Sequence, residues 1–300
     1  MANTFNPVIE YKDIIDRFYE RADKTNVFMA PEEYTTNGEY KILKVSVGGL
    51  GNYTRNRTNG QTVAYAGNSI STSWETIASD QQRSTQLFID KADNLEAFSA
   101  AFDEAIFAFL QKAVVERMAR RHAAIASSTS GITKEVVDVS TAEKTVAALR
   151  HASDILFDAH VYEDNRVTLI RGDVYSALAD MDTYKSKAVL AELGQIIPLT
   201  SDVMYDKIVL DPANGYAPAD DANEIAFMIV QRDAVVSGTH WEANFFDEGQ
   251  VQNFRGSLYN YFEDPLNGYV YENKAKGVYV GILAGEGGET GETEETGETE

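Results

Sequence analysis

Apolar residues recur at helical spacing from Leu95 through Phe98, Phe102, Ile106, Phe109, Leu110 and Val114 to Met118, with no Gly or Pro before Gly131. That spacing predicts one helix from about Asn94 to Ser127, capped by the Asp93–Asn94 pair. Glu96, Asp103 and Glu104 fall in its early turns, and Lys112, Arg117, Arg120 and Arg121 in its late ones. This order complements the helix macrodipole. At about 1.5 Å per residue the helix is a rod of about 45–50 Å, far longer than the roughly 11–12 residues of an ordinary helix.

Upstream the period changes from 3.6 to 2. Glu39–Val47 alternates Tyr40, Ile42, Leu43, Val45 and Val47 with Lys41, Lys44 and Ser46, the pattern of a strand. Gly48, Gly49 and Gly51 break it. A polar, turn-rich stretch then runs from Asn52 to Gly67. Strand character returns at Ser69–Ala78, where Ile70, Thr72, Trp74 and Thr76 share a face, and at Gln86–Asp90. Two pairing regions thus flank a polar tip. Such a ribbon has too little apolar content to pack a core of its own and is marginal in water alone, so its cover is expected from a neighbouring subunit. Before it, Ile9, Ile14, Ile15, Phe18 and Tyr19 predict a short amphipathic helix from about Tyr11 to Ala22. It sits in an arm, part of which is expected to be poorly tied to its own domain, ahead of the apolar knot Val27-Phe28-Met29.

Downstream, Val136, Val137 and Val139 predict a strand and Thr141–Asp158 a helix. Val167–Ile170 predicts a strand and Asp173–Met181 a further helix. Strands follow at Ile196–Leu199, Ile208–Leu210 and Ile225–Val230, and then at Ala234–Val236, Leu258–Phe262, Tyr269–Glu272 and Val278–Ile282. The alternation is that of an α+β protein. The divisions expected are an arm over 1–38, an extended β-hairpin over 39–92, and the long helix with the first part of a peripheral domain over 93–139. An inner domain over 140–231, returning strands over 232–283 and a tail over 284–300 complete the chain. The tail is Glu-Thr-Gly repeats, a composition that cannot build a core and is expected to stay disordered.

Net charge is −21 over 300 residues, seven of those charges being tail glutamates, which leaves −14 for the body. Phosphate binding needs clustered Lys or Arg, so such a surface disfavours gripping nucleic acid. There is no Cys, which excludes disulfides and thiolate chemistry. No signal-peptide core and no run of about 18 apolar residues is present, so neither export nor a membrane span is expected.

Candidate chemistry is sparse. Gly48-Gly49-Leu50-Gly51 lacks the Lys-Ser/Thr and the following helix of a phosphate loop, and reads instead as a twist or bulge. His122, His151, His160 and His240 show no metal-ligand spacing; His122 reads as a helix-end residue beside Arg121. Asp103/Glu104, Asp220/Asp221 and Asp247/Glu248 could serve a carboxylate hydrolase only at a set separation, and Asp220/Asp221 with Glu224 could hold a hard cation loosely. No catalytic residue, cofactor or metal is assigned. Arg55, Arg57 and Arg83 stand out in so acidic a chain. With Trp74 they are the candidate intersubunit contacts, of the kind that set register more than affinity.

The order of arm, polar-tipped hairpin, long helix, α+β domain and returning strands resembles the major capsid proteins of tailed bacteriophages, the Hong Kong ninety-seven type. The local wording is similar too. Asn52-Tyr53-Thr54-Arg55-Asn56, Ser73-Trp74-Glu75-Thr76, Asp80 with Arg83, and Phe88-Ile89-Asp90-Lys91 look like that family's extended loop. The stretch from Tyr269 to Tyr279 looks like its closing strands. The resemblance spans about residues 5–283. It implies a structural, non-enzymatic subunit that assembles as hexamers and pentamers into an icosahedral shell around double-stranded DNA. Its place would be the virion, assembled in the host bacterial cytoplasm, with no membrane involved. Scaffold, portal and head-completion proteins are the partners implied. A start so near the arm implies a separate scaffold or a short cleaved arm. No Lys lies between Lys44 and Lys91, so the isopeptide weld of some family members is not expected. The alternatives are an encapsulin-like nanocompartment and, outside this class, an acidic carboxylate-based hydrolase.

Overall fold

The computed structural model describes residues 23–35, 38–49, 70–79, 81–90, 101–181, 183–211, 215–246 and 256–283. The expected arm helix, the ribbon tip with Arg55 and Arg57, the first turns of the long helix and the Glu-Thr-Gly tail lie outside the described residues.

Strands β1 (Glu33–Thr35), β2 (Glu39–Val47) and β3 (Ile70–Ala78) form a three-stranded antiparallel ribbon. Strand β4 (Arg83–Asp90) leaves the ribbon and joins a different sheet. Helix α1 (Ala101–Ser127) follows, then β5 (Thr133–Val137) and α2 (Ala142–Asp158), whose N-cap Thr141 accepts from the Lys144 amide at 3.3 Å. Next come β6 (Arg166–Arg171), α3 (Gly172–Asp180), α4 (Tyr184–Glu192) and β7 (Gln195–Leu199). Helix α4 is absent from the sequence reading; its signal is the Thr183–Ser186 capping box. The chain closes with β8 (Ile208–Asp211), β9 (Gly215–Pro218), β10 (Ile225–Gln231), β11 (Val235–Phe246), β12 (Gly256–Val270) and β13 (Val278–Leu283).

Five strands in the order β5-β13-β10-β6-β7 make the central sheet, with β10 antiparallel to the rest. Six successive residues of β10, Ile225–Val230, are fully buried, as a strand covered on both faces requires. One face packs Leu149 and Leu156 of α2, Val174 and Leu178 of α3 and Val189 of α4 against Phe227, Ile229 and Tyr279. The other packs Ala119, Ile125 and Ala126 of α1 against Val167, Leu169, Met228 and Val280. Strands β5 and β13 belong to this sheet although they lie outside 140–231: β13 is the second ladder partner of β10, and β5 pairs with β13.

The second sheet, β11-β12-β4, takes the N-terminal half of α1, where Ile106 and Leu110 bury against Tyr259 and Tyr261. The long helix is therefore a beam between two sheets, which accounts for its length. The apolar knot before β1 is tied to the body. Phe28 is in the core, and Met29 bridges β11, its N–H donating to Val235 O at 3.2 Å while its carbonyl accepts from Ser237 N at 2.8 Å.

Candidate functional site: the ribbon and its root

Antiparallel register sets the ribbon's two faces. Leu43 lies opposite Trp74, Val45 opposite Thr72 and Val47 opposite Ile70, so these share one face. Tyr40, Ile42, Lys44 and Ser46 share the other with Ser71, Ser73, Glu75 and Ile77. Burial falls along the strand. Tyr40 (2 %) and Ile42 (1 %) are core residues packed with Val236 and Leu266, while Val45, Val47, Ile70 and Trp74 are exposed, Trp74 at 58 %.

The root is a polar clasp. The Tyr40 hydroxyl donates to the Asp264 carbonyl and accepts from the His240 amide at 2.9 Å. The Asp264 carboxylate accepts from the Tyr34 hydroxyl at 2.7 Å and the Gln82 amide at 3.3 Å, and the Tyr34 ring stacks on His240 with centroids 4.2 Å apart. Burial, reinforced by Asp264, pushes the Tyr34 phenol up to about 12, so it remains a donor. Gly38 makes the β1–β2 turn at φ +76°; a Cβ there would also stand 3.0 Å from Asp264 Oδ2. Farther out, Glu75 pairs with Lys44 and accepts from the Tyr269 hydroxyl at 2.7 Å. Lys44 holds the Glu75 carboxyl below its usual range, and Glu75 holds the amine above its own. The polar face thus overlooks the body, across a cavity of about 490 Å³ lined partly by Ser71, Ser73 and Tyr271. The apolar face points away.

Of the expected contact residues, Trp74 is on the outward face and Arg83 is not at a free surface. Arg83 donates to both oxygens of Glu116 at 2.9 and 3.2 Å and to Gly215 O at 3.3 Å. It opens an ion network that the sequence reading missed. Glu116 stands 3.6 Å from Arg120 in the next turn, and Arg120 and Arg117 both donate to Glu263, as does the Tyr261 hydroxyl at 2.9 Å. Burial pushes the Glu263 carboxyl up, but the two guanidiniums outweigh it and hold it below the carboxylate range. Arg121 binds Asp23 at 2.9 and 3.0 Å. Arg117, Arg120 and Arg121 are buried against these partners, and no basic residue stands in the helix's last turn. His122 is likewise fully buried, and the helix continues past it to Ser127 rather than ending there; burial and Arg121 bring it down to about 4.

The loose cation site is not assembled, because Asp221 pairs with Lys207 and Glu224 with Arg171. Among the described residues no group of three or more His, Asp or Glu could hold a metal, and no helix is long and apolar enough to cross a membrane.

No family model and no curated protein matches this sequence. Solved structures do. The virus-like particle from Pyrococcus furiosus is similar with a TM-score of 0.54 at 8% identity, over 92% of this chain and 100% of that one. The capsid of Myoviridae phage XM1 gives 0.53 at 10% identity over 86% and 90%, and the capsid of cyanophage P-SCSP1u gives 0.51 at 14% over 86% of each. Such identities speak to architecture alone: this chain has the α+β fold of the phage major capsids, the Hong Kong ninety-seven type.

Proposed function

We propose that this chain is the major subunit of a shell, assembling as hexamers and pentamers into an icosahedral head that encloses double-stranded DNA of a tailed phage or prophage. The observation that carries this reading is the ribbon. Its root is a core element, yet its distal face leaves Val45, Val47, Ile70 and Trp74 in water. Beyond β1 the ribbon is two strands wide and marginal in water alone, and an exposed apolar face of this kind marks an interaction surface. Head-to-tail contacts between copies supply one and close into rings. In this reading the axial domain is 140–231, the peripheral domain is α1 with the returning strands, and residues 1–38 are the arm. Scaffold, portal and head-completion proteins are the partners, and the chain works in the virion without catalysis. The acidic body encloses DNA without gripping it.

The test is expression with and without the neighbouring phage genes, followed by size-exclusion and electron microscopy. Closed shells of megadalton mass, or free capsomers, are expected. Removing residues 52–67 should leave a folded monomer that no longer assembles; a truncated chain that still closes normal shells overturns the reading. The likeness to the Pyrococcus furiosus particle supports a second reading, an encapsulin-like compartment. Purified particles holding protein cargo and no DNA would favour it.

A further inference from the structure

We propose that β5 is an open sheet edge that pairs antiparallel with β5 of another copy, across a two-fold axis through Val136. This rests on the shell reading and names a contact between one ring of copies and the next. The central sheet ends at β5 on one side and at β7 on the other, and the two edges are built differently. Strand β7 carries Pro198, which offers no N–H to a further strand. Strand β5 has no Pro, pairs with β13 alone, and leaves Val136 70 % exposed. Thr133, Val136 and Val137 give it the β-branched composition that fits a strand pair. An open edge of this kind is a template for another strand.

The strand's own sequence selects a second copy as the partner. Val137 and Val139 pack with the α2 side of the core, and Glu135 shares their face, accepting from the Tyr279 hydroxyl at 2.9 Å. Lys134, Val136 and Asp138 alternate with them and are all exposed. A two-fold axis normal to the sheet keeps the same face up in both copies, so only residues of like parity meet. Centred on Val136, it sets Val136 against its own mate and each Lys134 against Asp138 of the other copy. The Asp138 carboxylate pairs with Lys144 and still leaves half its surface open. A centre one residue earlier would oppose Glu135 to itself, and two earlier Lys134 to itself, like charges that destabilise an antiparallel pair. Head-to-tail contacts close a ring, but rings must also meet one another, and a two-fold contact is the self-complementary kind that joins them. In the shell reading 140–231 surrounds the ring axis. Strands β5 and β13 are the part of the central sheet outside it, so the β5 edge faces the rim. Residues 134–138 alone bury far less than the roughly 800 Å² per partner of a stable pair. The edge therefore acts where ring contacts already hold many such strands together.

Residues directly opposite in an antiparallel pair have Cα atoms about 4.5–5.5 Å apart, inside the roughly 4.4–6.8 Å that a disulfide spans. The chain has no Cys, so Val136→Cys supplies its one thiol. Particles of this variant, mildly oxidised, should run as dimers on a non-reducing denaturing gel and never as longer ladders, because two chains use up a two-fold contact. Lys134→Cys should stay single, since its two thiols would sit four residues out of register, about 14 Å apart. Val136→Lys puts a charge at the centre of the edge; it should leave capsomers intact and cut the yield of closed shells about tenfold. Closed shells of Val136→Cys that stay single chains, or Val136→Lys shells at the wild-type yield, overturn this pairing and leave the shell reading standing. Dimers from Lys134→Cys, or ladders from Val136→Cys, also overturn it. A wild-type chain that forms no particle under any condition overturns both.

Discussion

Arg120 of α1 donates to Glu263 of β12 inside the seam between helix and sheet, where both side chains are all but excluded from water. Glu263 also receives Arg117, so one carboxylate fixes two successive turns of the beam against the strand. A slip of α1 by one turn would strand two guanidiniums away from water. The pair therefore specifies the register between helix and sheet more than it adds net stability.

Breaking the network from the acidic side should be costly. Glu263→Gln leaves two buried guanidiniums sharing a neutral amide and is expected to destabilise the monomer by about 3–5 kcal/mol, read as a lower urea midpoint with an unchanged slope. Replacing Arg117, Arg120 and Glu263 together by apolar residues of similar volume should cost far less. A triple variant as damaged as Glu263→Gln would count against the register argument.

Acid should unfold the protein in two windows. His122 is neutral in the folded state, with a pKa near 4 against about 6.5 unfolded. The unfolded chain takes up its proton first, so stability falls as pH drops from about 6.5 to about 4, by about 3 kcal/mol, and is flat below. Glu263 is depressed, so its contribution, present above the unfolded carboxylate pKa, is lost only as pH falls further through its folded value. His122→Gln should flatten the upper window and leave the lower one. An unchanged slope between pH 6.5 and 4 in that variant would refute the assignment.

What the sequence could and could not disclose follows from the range of the interactions. Strand β2 is legible residue for residue, because one face must alternate and Gly48 ends it. Helix α2 is legible from Thr141 and its apolar stripe. The arginines are not. Arg117 and Arg120 look like surface charges on a helix because the carboxylate that buries them lies more than 140 positions later. Strands β11 and β12 run 12 and 15 residues, far beyond the short pieces expected. Pro265 argues for a break, but there β12 has run past the end of β4 at the Glu263–Arg83 pair, so the missing N–H costs no ladder bond on that side. Of the expected contact residues, Trp74's place on the outward face was visible from period 2 alone. Arg83's bonds to the distant Glu116 and Gly215 were not.

The clasp at the ribbon root should set how firmly the ribbon is held. Tyr40→Phe removes the bonds to the Asp264 carbonyl and the His240 amide while keeping the ring, and should cost about 1–3 kcal/mol because both groups stay buried. The loss should appear locally, as faster amide exchange in 39–47 and 70–78, with α2 and β10 unchanged. Uniform acceleration across the chain would mean that the clasp belongs to the global core.

Mature shells of this protein should fall apart into single chains in a denaturing gel. An isopeptide weld needs an unprotonated lysine amine at an intersubunit contact, and residues 45–90 contain no Lys. The lysines just before that stretch are on the root side of the ribbon and both are paired, Lys41 with Glu33 at 3.0 Å and Lys44 with Glu75. Glu75 holds the Lys44 amine above its ordinary pKa, so at neutral pH it keeps its proton and has no lone pair with which to attack an amide. The shell must then be held by burial and charge alone. Covalent ladders from the wild-type chain, resistant to boiling in detergent, would show that a lysine elsewhere does this chemistry.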